Sequence, residues 1–308
     1  MNSNKLVEID ILKSVGIFFV IYVHLPVFFS DIQTVPYAQS AIPLGLSCFF
    51  FTSSYTLSKY NNFSDDNKIE TFLIKRAKRI YPLYWTAIIS YIIIFGFLKI
   101  KADTNNLSTI GITDYIAIMM GAHELSLDFP PVPYLWYIGA ILFFYVLYVL
   151  IIKYANSEFD ILRNSLLIFL SMHLISFPSS IYMYYPVFIA GIFAGRARAL
   201  SKFNPYTSKI PTEVTNVFSY IAYSSYAVYL FHGPILSIME TINSYFGLSG
   251  YIGLLYLLCV DVPIMFLGCY CIQQVADGKL DIKNLNSWKF GYVEYLSKSL
   301  SISEIWKK

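Results

Sequence analysis

Eight apolar runs, most of them long enough to cross a lipid bilayer, take up the greater part of this chain, at about residues 11–30, 41–58, 82–98, 134–152, 161–176, 184–197, 218–240 and 251–273. A spanning helix needs about 20 residues and a spanning strand about 10. In lipid only helices and closed barrels satisfy their own backbone hydrogen bonds. Most of these runs are too long for barrel strands, so the sequence predicts an all-α polytopic transmembrane bundle of about eight to ten spans. The composition agrees: 13% of residues are charged and the mean hydropathy is +0.56, against about 25% charged in an ordinary soluble domain. In 308 residues such a bundle leaves no space for a large soluble domain. The expected division is a transmembrane domain over 1–276 and a cytoplasmic tail over 277–308. A net charge of +3 is too small to suggest a nucleic-acid partner; the hydropathy implies the lipid bilayer as partner, and what matters is where the charges lie.

Charge placement sets the expected topology. The connection 59–79 carries Lys59, Lys68, Lys75, Arg76, Lys78 and Arg79, and 196–209 carries four more basic residues, which places both on the cytoplasmic side of the cell membrane. Eight crossings put both termini there as well, and of the 22 Lys and Arg only Lys99 and Lys101 fall outside. The short run 115–120 cannot cross, so 113–133 is expected to be an external, partly re-entrant segment containing His123, Glu124, Asp128 and the turn-prone Pro130-Pro131-Val132-Pro133. The start MNSNKLVEID lacks the exit site of a cleavable signal, so the first run is expected to stay as a helix. From Asp277 the tail mixes Lys with Trp288, Tyr292 and Tyr295, which suits either a membrane-surface helix or a disordered end. Cys48, Cys259, Cys269 and Cys271 all sit in apolar runs and are expected to be buried free thiols, not metal ligands.

The ionisable residues inside these runs point to function, because a charge at bilayer depth costs about 2.5–3.5 kcal/mol and normally faces protein or a water-filled cavity. Lys13 and His24 lie eleven positions apart, nearly on one face of a helix and about 16 Å apart along it. His232, fourteen residues into its run, comes to a similar depth, so two imidazoles are expected at one level. Histidine, with an ordinary pKa of about 6.5, suits proton transfer. Each imidazole also has a plain reading as a hydrogen bond between helices, and His173 has no other context. The cluster KRAKRIYPLYW, residues 75–85, reads either as charges that orient a helix or as an anion site, since guanidinium binds phosphate in bidentate fashion. In it, Pro82 suits the first turn of the next helix, and Tyr81 and Trp85 suit the aromatic belt. Asp10 is positioned to pair with Lys13. Asp261, alone in an apolar run, is positioned to orient a histidine or a cation.

Four stretches in order carry a resemblance: a basic residue, ten others and a histidine at Lys13 and His24; RAKR followed by IYPLYW; YLWYIGAILFFY; and SSYAVYLFHGPIL. Together they resemble the acyltransferase-3 family of membrane O-acyltransferases. The resemblance implies transfer of an acyl group, commonly acetyl from cytoplasmic acetyl-CoA, to a sugar hydroxyl of a capsular polysaccharide, exopolysaccharide, lipopolysaccharide or lipid-linked glycan, with no metal. It implies His24 as the essential histidine with Lys13 as its basic companion, Arg76 and Arg79 as the pair engaging the donor's phosphates, His232 and Tyr226 as the late motif, and Trp136 as the mid-chain tryptophan. Asp10, Ser53 and Tyr81 are expected to support the substrates. Ser54 stands where the family often has glycine, and Ile141 and Leu142 replace a glutamate that some members carry, which fits the branch acting on capsular or exopolysaccharide units. With no fused hydrolase-like domain expected, the membrane core would hand the acyl group over directly. Two rival readings are a glycan transporter or flippase without acyl transfer, and a glycan polymerase or ligase.

Overall fold

A computed structural model describes residues 6–28, 38–58, 63, 66–100, 112–122, 135–248 and 250–279. Among these residues every regular element is helical. In chain order they are α1 (Val7–Phe28), α2 (Ala38–Leu57), α3 (Asp66–Tyr91), α4 (Ile112–Met120), α5 (Trp136–Lys153), α6 (Glu158–Leu174), α7 (Ser179–Arg196), α8 (Asn204–Thr207), α9 (Thr212–Tyr245), α10 (Gly250–Tyr256) and α11 (Val262–Ala276). Wider π-helical turns extend α3 over Ile92–Phe97 and join α10 to α11 over Leu257–Asp261. The chain divides into two units, Met1–Gln273 and Gln274–Lys308. The second is described only as far as Lys279, whose N–H closes a turn on the Gln274 carbonyl. The remainder of the expected tail, with Trp288, Tyr292 and Tyr295, lies outside the described residues, as do His123, Glu124, Asp128 and the proline cluster.

Small residues decide which helices touch. α1 meets α2 where Gly16 faces Gly45: a Cβ on Gly16 would lie 2.9 Å from the Gly45 carbonyl, and one on Gly45 would lie 3.0 Å from that of Gly16. α2 meets α7 through Ser54 against Gly191 and Ser58 against Gly195, where added Cβ atoms would press on the serine hydroxyls and come within 2.6 Å of the Phe51 and Tyr55 carbonyls. Small residues four apart on facing helices allow the close backbone approach on which association in a membrane relies. Ser54, flagged as a departure from the family's glycine, fits this seam, because its hydroxyl turns back onto the Phe51 carbonyl (3.0 Å). Contacts in register make α2, α5 and α7 parallel to one another: Phe50 with Phe144, Ser53 with Tyr145, Leu57 with Tyr148, and Phe144 with Phe188. The core is largely aromatic, with Phe50 ringed by Tyr137, Phe144 and Tyr184 at 4.8–5.0 Å between centroids.

Large side chains such as Ile89, Phe97, Leu166, Leu167, Ile252 and Leu255 stand exposed on the outer faces, an arrangement unfavourable in water and natural against lipid. Three stretches, Asn67–Phe97, Trp136–Lys153 and Gly250–Ala276, are long and apolar enough to cross a membrane. This is an all-helical membrane protein.

Three expectations need correction. α3 starts at Asp66, so Pro82 lies in its interior and not in a first turn. Residues 66–80 alternate charged and apolar side chains at helical spacing with no breaker, and the loss of the one N–H at Pro82 does not stop a helix held by its neighbours. The RAKR cluster therefore sits on a continuous helix. Cys259 is exposed, Cys48 and Cys271 are half-buried, and only Cys269 is buried, because an apolar run in lipid has an outward face as well as an inward one. Asp261 takes its hydrogen bond from the Asn243 amide at 2.6 Å and not from an imidazole.

The short element α4 is held from α3. Tyr84 Oη donates to the Ile118 carbonyl (2.6 Å), Trp85 Nε1 to that of Met119 (3.0 Å) and Tyr81 Oη to that of Met120 (2.8 Å). These carbonyls belong to the last turn of a helix, where few backbone partners are left; that of Ile118 also accepts the Gly121 N–H at 2.9 Å. The aromatic group expected at the membrane interface thus caps α4.

Candidate active site

α1 and α9 run parallel and in register, and that register builds the centre of the site. Near the helix starts, Ser219 Oγ donates to Asp10 Oδ2 (2.7 Å) and Ser14 Oγ to the Phe218 carbonyl (3.1 Å). Asp10 is buried, and this contact makes it a tie between the two helices. Further along, His24 and His232 meet edge to face, with ring centroids 4.8 Å apart and planes at 61°. His232 is fully buried and His24 half-buried. In each ring Nδ1 contacts a backbone carbonyl one turn back, Val20 at 2.6 Å and Tyr229 at 2.7 Å. A carbonyl oxygen only accepts, so Nδ1 carries the hydrogen in both rings and the basic lone pair is on Nε2.

The basic end lies on α3. The Arg76 guanidinium covers the rings of Phe72 (5.3 Å) and Tyr145 (5.6 Å), and Tyr145 Oη is 3.0 Å from Ser53 Oγ. Arg79 is exposed and lies near Tyr226. Tyr226 Oη donates to the Ile80 carbonyl (2.8 Å), which joins α9 to α3 beside that arginine. Lys13 is half-buried on α1. From Tyr226 to His232 is six residues, about 9 Å of helix rise.

Between the two ends runs α5. Its Tyr145 lies against Arg76, while its first turn reaches the histidines: the Tyr137 ring is 5.2 Å from that of Tyr229, the Tyr137 N–H donates to Tyr229 Oη (3.3 Å), and the Tyr229 ring is 6.0 Å from His232. The Trp136 ring lies 5.8 Å from that of Tyr184, tilted by 38°, and joins the aromatic core around Phe50. Tyr81 is engaged with α4, and His173 packs on Tyr182 at 5.8 Å, on the α6–α7 side. Sequence reasoning missed Tyr137, Tyr145 and Tyr229. Tyr229 was within reach of it, being three residues before His232 and so on the same helix face.

The described residues thus form an all-helical membrane protein in which two imidazoles meet between helices and a guanidinium lies against the middle of α5. The family model described as an acyltransferase domain, that of the acyltransferase-3 family, matches residues 6–212. That is more than half of the chain; the protein belongs to this family and is an acyltransferase. No curated protein and no solved structure matches it. The matched stretch contains Lys13, His24, Arg76, Arg79 and Trp136; Tyr226 and His232 lie beyond it.

Proposed function

We propose that this protein is a multi-pass O-acyltransferase of the cytoplasmic membrane, with eight spans and both termini inside. It would take an acetyl or other short acyl group from cytoplasmic acyl-CoA and place it on a sugar hydroxyl of an extracytoplasmic or lipid-linked glycan. The observation that carries this reading is the meeting of His24 and His232, ring centroids 4.8 Å apart, beside the first turn of a helix whose middle touches Arg76.

In this reading Arg76 and Arg79 hold the donor's phosphates in charge-assisted hydrogen bonds, with Lys13 adding positive charge. The thioester reaches along α5 toward the histidines. His24 Nε2 takes the proton of the sugar hydroxyl as its oxygen attacks the thioester carbonyl; the C–O bond forms, the C–S bond breaks, and the thiolate leaves and takes up a proton. His232 serves the base and not the carbonyl. Its Nδ1–H is held by the backbone, so in the neutral ring Nε2 has no hydrogen to offer an oxyanion. The two rings, with centroids 4.8 Å apart, are instead suited to receiving and passing one proton. The test is NMR of the surface glycan from cells with and without the protein, together with transfer of label from acetyl-CoA in isolated membranes. The expected result is loss of O-acetyl signals and of labelled glycan without the protein; unchanged signals and no label transfer would end the proposal.

A further inference from the structure

We propose that Tyr229 is a positioning residue of this reaction, pinning the start of α5 to His232 and so setting where the base stands relative to the arriving donor. The inference rests on the acyl-transfer reading above. Tyr229 acts through two different groups. Its carbonyl accepts the Nδ1–H of His232 at 2.7 Å, which fixes that ring's tautomer, and its phenol oxygen accepts the N–H of Tyr137 at 3.3 Å.

The second contact is of a kind a helix needs. The N–H of Tyr137 is in the first turn of α5, where four N–H groups have no partner within the helix, and the N-cap residue Leu135 offers no side-chain hydrogen bond. A buried N–H left unpaired is costly. The cap comes from another helix, and it comes from the residue that holds the histidine. The ring alone is well packed, edge-on to Tyr137 at 5.2 Å and 66°, so phenylalanine would fill the space and lose only the hydroxyl. Eight residues further along, at its middle, α5 presents Tyr145 to Arg76 and Ser53. α5 is therefore a strut between the donor end and the base, and Tyr229 is its pin at the base.

The test uses the full chain in proteoliposomes with Tyr229→Phe. Loss of the pin should lower kcat for acyl transfer about ten- to a hundredfold, as a misplaced reacting group does. KM for acyl-CoA should stay within about twofold, because the arginine end is untouched. Amide exchange over residues 135–141 should speed up, with the unfolding midpoint little changed. An unaltered kcat, or a raised KM with kcat intact, would overturn the inference. If the variant does not accumulate, exchange in the wild type still decides: the Tyr137 amide should be among the protected ones, and rapid exchange there would overturn the pin. A wild-type protein with no acyl transfer sinks the proposed function; an active wild type with an equally active Tyr229→Phe variant sinks this inference alone.

Discussion

His24 and His232 come from opposite ends of the sequence, lie inside the bundle and are each oriented by a backbone carbonyl of their own helix. Arg76 and Arg79 come from a single turn of α3 and are partly or fully exposed, with the Arg76 guanidinium over the Phe72 and Tyr145 rings. The first pair exists only because α1 and α9 hold register from Asp10–Ser219 to the imidazoles; the second would survive on any helix of the same sequence. The lesson is a division between packing and local sequence: the imidazole pair is preorganised by tertiary packing, as catalysis by a positioned group requires, while the arginine pair is set by one turn of α3; in the proposed function the first is the base and the second the donor's dock.

Perturbing the two ends should therefore give different kinetic signatures. The largest effect is expected at the rigid end, where His24→Ala should reduce acyl transfer by about 10²–10⁴-fold, the usual value of a general base, with the amount of protein in the membrane unchanged. Next comes the scaffold beneath it. Gly191→Val places a branched side chain against Ser54 and the Phe51 carbonyl; overpacking of this kind costs about 1–3 kcal/mol or more. It should lower stability and activity together, which thermal unfolding and transfer assays on the same preparation will show. At the adaptable end, Arg76→Lys with Arg79→Lys keeps the charge and loses the planar fork. It should raise KM for acyl-CoA about tenfold with a much smaller change in kcat, measured by transfer rates over a range of donor concentrations.

The smallest effect belongs to neither end. At the start of α6, Asp160 accepts hydrogen bonds from the backbone N–H groups of Asn156 and Ser157 and from the Ser157 hydroxyl, all at 3.0 Å, and Arg163 stands 2.9 Å away. The Asn156 N–H, first among these, holds the carboxyl below the usual carboxylate range. A carboxyl lowered in the folded state stabilises it above the ordinary carboxylate pKa, about 4, and that contribution fades as pH falls through the lowered native value. The stability gap between wild type and Asp160→Asn should be small at pH 7 and close toward pH 2. A gap that is the same at both would remove the capping carboxylate from the account.

The helical class and the level at which His24 and His232 meet were legible in the sequence, because hydropathy and ionisable residues inside apolar runs are local signals. Lys13, His24, Arg76, Arg79 and His232 could be named from spacing and from the resemblance. What was hidden depends on which faces meet. That Asp10 bonds Ser219 on another helix, that Tyr81, Tyr84 and Trp85 cap α4, and that Asp261 faces Asn243 all follow from packing between segments far apart in the chain. Pro82 misled because its local meaning, a helix start, is overridden when neighbouring helices support the backbone. Tyr229 was passed over because its function is carried by a backbone carbonyl and by a phenol oxygen that accepts, neither of which a residue type announces.

The account stands or falls on the two imidazoles acting as one unit, and a double-mutant comparison reads that directly. Acyl transfer by His24→Ala, His232→Ala and the doubly substituted protein should be measured in proteoliposomes at saturating donor. Groups that act together are strongly non-additive, so the double variant should be about as slow as His24→Ala alone. Losses that multiply, or a His24→Ala protein that transfers at the wild-type rate, would contradict it.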